Sequence, residues 1–130
     1  MIQSVGVHTV ALFLWLALLQ TNRSTVERVL RAYVEGVAAT VHNKEAASRI
    51  LAKYLRRDEP AFLDETYDFV RNYTERMPRV DARVVPLLLE FDPVKGVEAD
   101  ALTARMIDNS IVDQLLQEKF IQRQFGKEFR

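Results

Sequence analysis

Residues 24–58 contain two amphipathic helical patterns that are separated only by His42 and Asn43. In the first pattern, apolar residues recur at spacings of three and four, so they lie on one face of a helix and that face must be buried. This face consists of Val26, Val29, Leu30, Tyr33, Val34, Val37, Ala38 and Val41. Ser24 and Glu27 have the spacing of a capping box, which predicts a helix that begins near Ser24.

The second pattern follows Asn43, whose side chain is a favourable N-cap. Its apolar stripe consists of Ala47, Ile50, Leu51, Tyr54 and Leu55. Two consecutive helices with so short a link should form an antiparallel hairpin. We therefore expect a helical hairpin over residues 24–58.

A third helix is predicted from Asp58 or Glu59 to about Glu75, because Pro60 is accommodated in a first helical turn. Met77 precedes a proline, which disfavours helical geometry and should end this helix. Its apolar face consists of Phe62, Leu63, Thr66, Tyr67, Phe69, Val70 and Tyr73. The opposite face is charged and should be exposed to water.

A shorter fourth helix is predicted over residues 81–91, with Pro86 near its start. Its apolar residues are Val84, Val85, Leu87, Leu88 and Phe91. Residues 92–96 carry a turn signal, and residues 97–105 are expected to form a connector with at most one helical turn.

The last helix should begin after Asp108, a good N-cap, and continue toward Gly126. Its apolar residues are Ile111, Val112, Leu115, Leu116 and Ile121. The tail, residues 127–130, is expected to fray.

Residues 22–126 resemble the C-terminal part of solute-binding proteins that feed ABC importers, in the group that binds nitrate, taurine and other sulfonates, or thiamine precursors. Three family motifs occur in the expected order. The first matches Asn22, Thr25, Val26, Arg28, Leu30, Ala32, Tyr33, Val34, Glu35 and Gly36. The second matches Asn43, Ala47, Ile50, Leu51, Ala52, Lys53 and Tyr54, and the third matches Asp108, Asn109, Ser110, Ile111, Val112, Leu115, Leu116, Phe120 and Ile121. Lys119 stands where the family usually has glycine.

The resemblance implies a mainly α-helical domain of five or six helices, which corresponds to the C-terminal helical part of a periplasmic-binding-protein-like (type II) α/β fold. It also implies one short N-terminal strand, for which Val5 to Val10 is the candidate. The implied function is capture of a small organic solute in the periplasm, or another extracytoplasmic compartment, and its delivery to an ABC permease. Family members are two to three times longer, and their ligand contacts come chiefly from the portion that precedes this one. The resemblance therefore assigns no ligand-binding residue in this chain.

Two other functions are compatible with the sequence. Helix surfaces that would cover the rest of a solute-binding protein are apolar, and such surfaces favour self-association. In the first alternative, the chain is a stand-alone helical module that forms a homo-oligomer, with Leu12 to Leu19 at the dimer interface. Alternatively, the run from Val10 to Leu19 anchors a small membrane-associated protein.

Residues 1–21 lie outside the resemblance and are dominated by that apolar run. The run is shorter than the ~20 residues that span a membrane. A signal peptide normally has basic residues before its apolar part and a small-x-small cleavage site after it, and neither is present before Asn22. A buried helix, a secretion or membrane element and a disordered segment therefore all remain open.

Charge and composition exclude several classes of function. Lysine plus arginine equals aspartate plus glutamate at 18 each, so the chain has no basic excess for nucleic-acid binding. The absence of cysteine excludes disulfides, thiolate metal sites and cysteine nucleophiles. No serine, threonine or lysine has a recognisable base partner, so we expect neither an enzyme nor a cofactor.

Two histidines and one acidic cluster are candidates for a site. His8 and His42 lack partners at metal-ligand spacing and are interpreted as caps or surface residues. The acidic cluster on the third helix is interpreted as a solvated face; it consists of Asp64, Glu65 and Asp68.

Arginine and aromatic residues are further candidates for a site. Four arginines could together hold an anion, but ion pairs with Glu75, Asp81 and Asp68 are favoured. The four are Arg71, Arg76, Arg79 and Arg83. Tyr33, Tyr54, Tyr67 and Tyr73 are expected to face the core, as is the single tryptophan, Trp15.

Overall fold

A computed structural model describes the backbone of residues 16–129 and the side chains from Leu19 to Phe129. The fold over this range is mainly helical, as predicted, and it contains no strand. The helices are α1 (Leu16–Thr21), α2 (Arg23–His42), α3 (Lys44–Leu55), α4 (Pro60–Tyr73), α5 (Val84–Phe91), α6 (Ala99–Met106), α7 (Ser110–Gln117) and α8 (Phe120–Phe125), followed by a 3₁₀ turn at Gly126–Glu128. The predictions for Val5 to Val10, His8 and Trp15 lie outside the described residues.

The core forms where α2 packs against α7 and α8. It consists of Val26, Leu30, Val34, Ala38, Val41, Ile111, Val112, Leu115, Phe120, Ile121 and Phe125. All five buried residues of α2 belong to the predicted apolar face. Val29 also belongs to the predicted apolar face, but 45% of it is exposed. It lies beside the buried stripe and not within it.

The predicted capping box at the start of α2 is wrong. Asn22 is the N-cap residue, and its side-chain oxygen accepts a hydrogen bond from the Thr25 hydroxyl at 2.7 Å. Glu27 does not turn back toward the helix start, because its carboxylate pairs with Arg31 one turn later at 2.8 Å. Such pairs at a spacing of four residues compete with a cap for the same carboxylate.

Asn43 caps α3 as predicted, with its side-chain oxygen accepting from the Ala46 N–H at 3.0 Å. The helix contacts both α2 and α4. The contacts that extend along α3 are made with α4. Near the link, the Arg57 guanidinium lies 4.3 Å from the centre of the Phe62 ring. At the far end, Lys44 pairs with Asp64 at 3.0 Å, so α3 and α4 run antiparallel.

The α4 helix begins at Pro60 as predicted and ends at Tyr73, before the Met77-Pro78 signal is reached. Tyr67 is its buried residue, and the Tyr67 hydroxyl donates to the main-chain oxygen of Val41 at 3.1 Å. This bond attaches α4 to the C-terminal end of α2.

The connector prediction for residues 97–105 is wrong, because α6 has eight residues and more than two turns. The helix contacts α5, and the Thr103 hydroxyl donates to the Ala99 carbonyl at 2.8 Å. No α6 residue is buried. Because α6 has no buried stripe, the apolar periodicity that identifies a helix from its sequence is weak here.

The prediction of one continuous final helix is also wrong. Lys119 has a φ of 56°, and this left-handed residue separates α7 from α8. The change of direction allows α8 to bury Phe120, Ile121 and Phe125. Residues 126–129 do not project from the fold, because the Phe129 ring stacks on Phe125 with centroids 6.4 Å apart.

No helix in the part of the chain that the structure describes combines the length and apolar character required to cross a membrane.

Candidate binding surfaces

A groove of about 270 Å³ lies between α2 and α4. Its walls are mostly apolar and consist of Ala32, Tyr33, Gly36, Val37, Thr40, Val41, Val70 and Thr74. The bond from the Tyr67 hydroxyl to the Val41 carbonyl joins the same two helices beside the groove. A Cβ at Gly36 would meet no described atom within 4 Å, so this glycine widens the groove.

Tyr33 is the unusual polar residue of this groove. The Tyr33 hydroxyl oxygen is buried and has no hydrogen-bond partner within the described residues. Burial raises the pKa of the Tyr33 phenol, and the charge of Glu75 raises that pKa further. The phenol is therefore neutral at physiological pH, and its burial without a partner carries a desolvation cost.

The four arginines from the last turn of α4 to the start of α5 all form ion pairs, which the sequence analysis favoured over anion binding. Arg71 and Arg76 pair with Glu128 at 3.2 and 3.7 Å, and Arg79 pairs with Asp113. Of the predicted acidic partners, only Asp81 is used, by Arg83.

The Glu75 and Asp68 predictions fail because folding brings the 3₁₀ turn to Arg71 and α7 to Arg79. Arg76 also donates to the main-chain oxygen of Glu128. Each guanidinium thus has a carboxylate partner. The cluster is better suited to attaching the C-terminal residues to α4 than to binding an anion.

Asp81 and Arg83 form a local ion pair just before α5. The Arg83 side chain and its N–H both donate to the Asp81 carboxylate. These donors lower the pKa of the Asp81 carboxyl from 3.8 to about 2, and the side-chain bonds are the larger cause. The pair folds back over two residues at the start of α5, so it shapes a turn.

The interpretation of His42 as a surface or cap residue agrees with the structure. Its Nε2 lies 3.0 Å from the carbonyl oxygen of Gln124, and the residue is exposed. Among the side chains of residues 19–129, no group of three histidine or acidic residues could hold a metal ion. The acidic residues Asp64, Glu65 and Asp68 are exposed, as predicted.

The tyrosine prediction is correct for only two of the four. Tyr67 is buried and Tyr33 is half-buried, whereas 76% of Tyr54 and 55% of Tyr73 are exposed. The two exposed tyrosines lie on α3 and α4. The sequence shows the apolar stripe but not which part of it obtains a partner.

These two helix faces carry paired apolar side chains beside charges of one sign. On α3, Ile50 and Tyr54 are exposed four residues apart, next to Arg49 and Lys53. On α4, the exposed residues Phe69 and Tyr73 have the same spacing, with ring centroids 4.8 Å apart. The acidic residues Glu65 and Asp68 lie beside them. Leu88 and Phe91 form a further exposed apolar pair on α5.

One structural contact of the third motif was not apparent from the sequence. The Asn109 side chain accepts from the Val80 N–H at 3.0 Å and donates to the Val80 carbonyl at 2.9 Å. These two hydrogen bonds attach the start of α7 to the segment before α5. In the sequence, Asn109 is distinguished only by its place in the motif. The motif does not predict which residue Asn109 contacts.

No protein-family model, curated protein or solved structure matches the chain.

Proposed function

We propose that this chain is the C-terminal portion of the solute-binding component of an ABC importer for a small organic solute, such as a sulfonate, a nitrate-like anion or a thiamine pyrimidine precursor. The observation that carries the proposal is the position of the three family motifs. Each motif begins at a helix start: Asn22 precedes α2, Asn43 caps α3, and Asp108 and Asn109 precede α7. The motif residues thus have structural roles that explain their spacing.

The break between α7 and α8 gives further support. Lys119 adopts the left-handed conformation at the position where the family usually has glycine. Glycine is the residue that adopts this conformation without steric cost. The glycine of the family would therefore fit the left-handed backbone at this position, although this chain has Lys119 there.

The motif residues make packing contacts, which agrees with a family whose ligand contacts lie in the preceding portion. Asn109 binds the Val80 main chain, and Asn43 caps α3. In this proposal the helical portion stabilises the solute-binding protein, which works outside the cytoplasm with an ABC permease.

A chimera tests this proposal. Residues 22–126 would replace the corresponding C-terminal part of a taurine-binding protein, and taurine binding would be measured by isothermal titration calorimetry. We expect a folded chimera whose Kd for taurine is within about tenfold of the parent, a change of about 1.4 kcal/mol. The chain alone should show no thermal shift with taurine. A chimera that folds but does not bind taurine would contradict the proposal.

A second function, a stand-alone helical module that self-associates, is favoured by the exposed apolar residues. Large apolar side chains are exposed on α3, α4 and α5, and 82% of Phe91 is exposed. Large exposed apolar patches are typical of interaction sites. Light scattering after size-exclusion chromatography tests this function, with an oligomer of constant mass as the expected result and a monomer as the contrary one.

A further inference from the structure

We infer that the groove between α2 and α4 is a binding site for a small organic cation, with an ammonium group on an apolar body. The site depends neither on solute transport nor on self-association. Three features of the groove point to this ligand class: its apolar walls, one buried hydroxyl and one carboxylate at its end.

The size and the walls of the groove suit a small apolar group. Its volume of about 270 Å³ is near the lower end of the range for ligand pockets. Both helices supply apolar wall, namely Val37 and Val41 from α2 and Val70 from α4. Gly36 leaves additional space, because a Cβ there would meet no described atom within 4 Å. Entry of a hydrocarbon group is therefore favoured by the burial of apolar surface.

One wall carries a polar group without a partner. The Tyr33 hydroxyl oxygen is buried and makes no hydrogen bond within the described residues. Burial raises the pKa of the phenol, which is therefore neutral at physiological pH, and its oxygen is available as an acceptor. Tyr33 lines the groove, so a bound ligand that donates a hydrogen bond to this oxygen would remove a desolvation cost.

A carboxylate at the end of the groove selects the charge of the ligand. Glu75 directly follows Thr74, which lines the groove. It is half-buried, and across residues 19–129 it makes no ion pair within 4.0 Å. After burial, the charge of Glu75 is the second cause that raises the pKa of the Tyr33 phenol, so the carboxylate acts on the same region of the groove. A cation would be attracted there and an anion repelled.

The two arginines closest to Glu75 in the sequence have another partner. Arg71 and Arg76 both pair with Glu128, at 3.2 and 3.7 Å. The charge of Glu75 is therefore available to a ligand.

An ammonium group on an apolar body satisfies all three features together. Its N–H groups can donate to the Tyr33 oxygen, and its charge is opposite to that of Glu75. A neutral ligand would leave the carboxylate without a counter-charge. A carboxylate or sulfonate ligand would bring a like charge toward Glu75.

An NMR titration of the full chain tests the site with three ligands that share a phenyl ring on a short alkyl chain. Phenethylamine carries an ammonium at neutral pH, phenethyl alcohol is its neutral counterpart, and phenylpropionate is an anion. We expect phenethylamine to shift the amide signals of residues 32–41 and 70–75 in a saturable way. The alcohol should bind about tenfold more weakly, a difference of about 1.4 kcal/mol, and the anion should bind more weakly still.

Two variants separate the charge of the site from its shape. Glu75→Gln should weaken phenethylamine binding about tenfold and leave the alcohol unaffected, because the amide lacks the charge but keeps the size. Gly36→Leu should abolish the binding of both, because its side chain would occupy open space in the groove. Glu90→Gln is the matched control: it removes an exposed carboxylate on α5 and should bind phenethylamine like the wild-type chain. Circular dichroism verifies that each variant retains its helical content.

Two kinds of result would overturn this site. Equal affinity for phenethylamine and phenethyl alcohol, or full phenethylamine affinity in Glu75→Gln, would show that the groove does not select a cation. Absence of a saturable shift in residues 32–41 and 70–75, or unchanged binding in Gly36→Leu, would show that the groove is not the binding site.

Discussion

Tyr33 and Tyr67 show how the same side chain acquires different energetics in one fold. The Tyr67 hydroxyl donates a hydrogen bond to the Val41 carbonyl at 3.1 Å. The Tyr33 hydroxyl is buried without a described partner. A buried hydrogen bond contributes about 1 kcal/mol, whereas a buried hydroxyl without one carries a net cost.

Phenylalanine substitution should therefore affect the two positions in opposite directions. Tyr33→Phe is expected to raise the free energy of unfolding by up to about 1 kcal/mol, because it removes an unpaired polar atom. Tyr67→Phe should lower the free energy of unfolding by about 1 kcal/mol, because the Val41 carbonyl loses its donor. Urea denaturation of both variants measures the difference. A loss of stability in Tyr33→Phe would show that its hydroxyl has a partner.

Residue chemistry also explains which caps the sequence could predict. Asn43 caps α3 as predicted because the geometry of an N-cap is local and involves only the next three residues. The capping box at Ser24 failed because Glu27 had a second option, Arg31 on the following turn. A cap can be predicted when its side chain has no competing partner nearby.

At the scale of elements, helix starts were more predictable than helix ends. The starts of α3 and α4 follow local signals, namely Asn43 and Pro60, whereas the N-cap of α7 is Asn109 and not the predicted Asp108. The end of α7 has no such signal. Lys119 adopts a left-handed conformation there, which is sterically unfavourable for a residue that has a Cβ. Burial of Phe120, Ile121 and Phe125 on α8 offsets that cost.

The turn before α5 supplies a prediction about pH. Arg83 lowers the pKa of the folded-state Asp81 carboxyl to about 2, below its ordinary value of 3.8. Because the folded-state pKa is the lower one, the pair contributes stability above pH 3.8, and this contribution is lost as the pH falls through about 2. The stability of the chain should therefore decrease over this interval on acidification.

A carboxyl ¹³C titration by NMR should show Asp81 with a midpoint near 2, and Arg83→Ala should return that midpoint toward 3.8. The control is Arg105→Ala, an exposed arginine on α6 that should leave Asp81 unchanged. If Asp81 titrates near 3.8 in the unaltered chain, the ion pair does not persist in solution.

At the scale of the whole molecule, stability depends on contacts between distant parts of the chain. The core combines one face of α2 with α7 and α8, and Arg31 on α2 also pairs with Glu118 after α7 at 2.5 Å. Leu115 is fully buried among these helices. The segment between them, including α5 and α6, contributes no residue to this buried cluster.

Truncation at the centre of this core should be far more costly than truncation on α5. Leu115→Ala is expected to lower the free energy of unfolding by about 2–5 kcal/mol, through lost burial and a residual cavity. Leu88→Ala removes the same atoms from a residue that is 57% exposed, so its effect should stay within about 0.5 kcal/mol. Urea denaturation compares the two. Equal effects would mean that the core is not centred on α2, α7 and α8.

The sequence alone determined the helical class, the buried face of α2 and most helix starts, because apolar periodicity and N-caps depend on residues within one or two turns. Only the tertiary structure decided which faces remain exposed. Ile50 and Tyr54 belong to the predicted apolar stripe of α3, yet 57% and 76% of them are exposed. The partners of Arg71 and Arg79 were also decided by folding, since Glu128 and Asp113 lie far along the chain. Local chemistry determines what a side chain can bind, and the packing of distant helices determines what it meets.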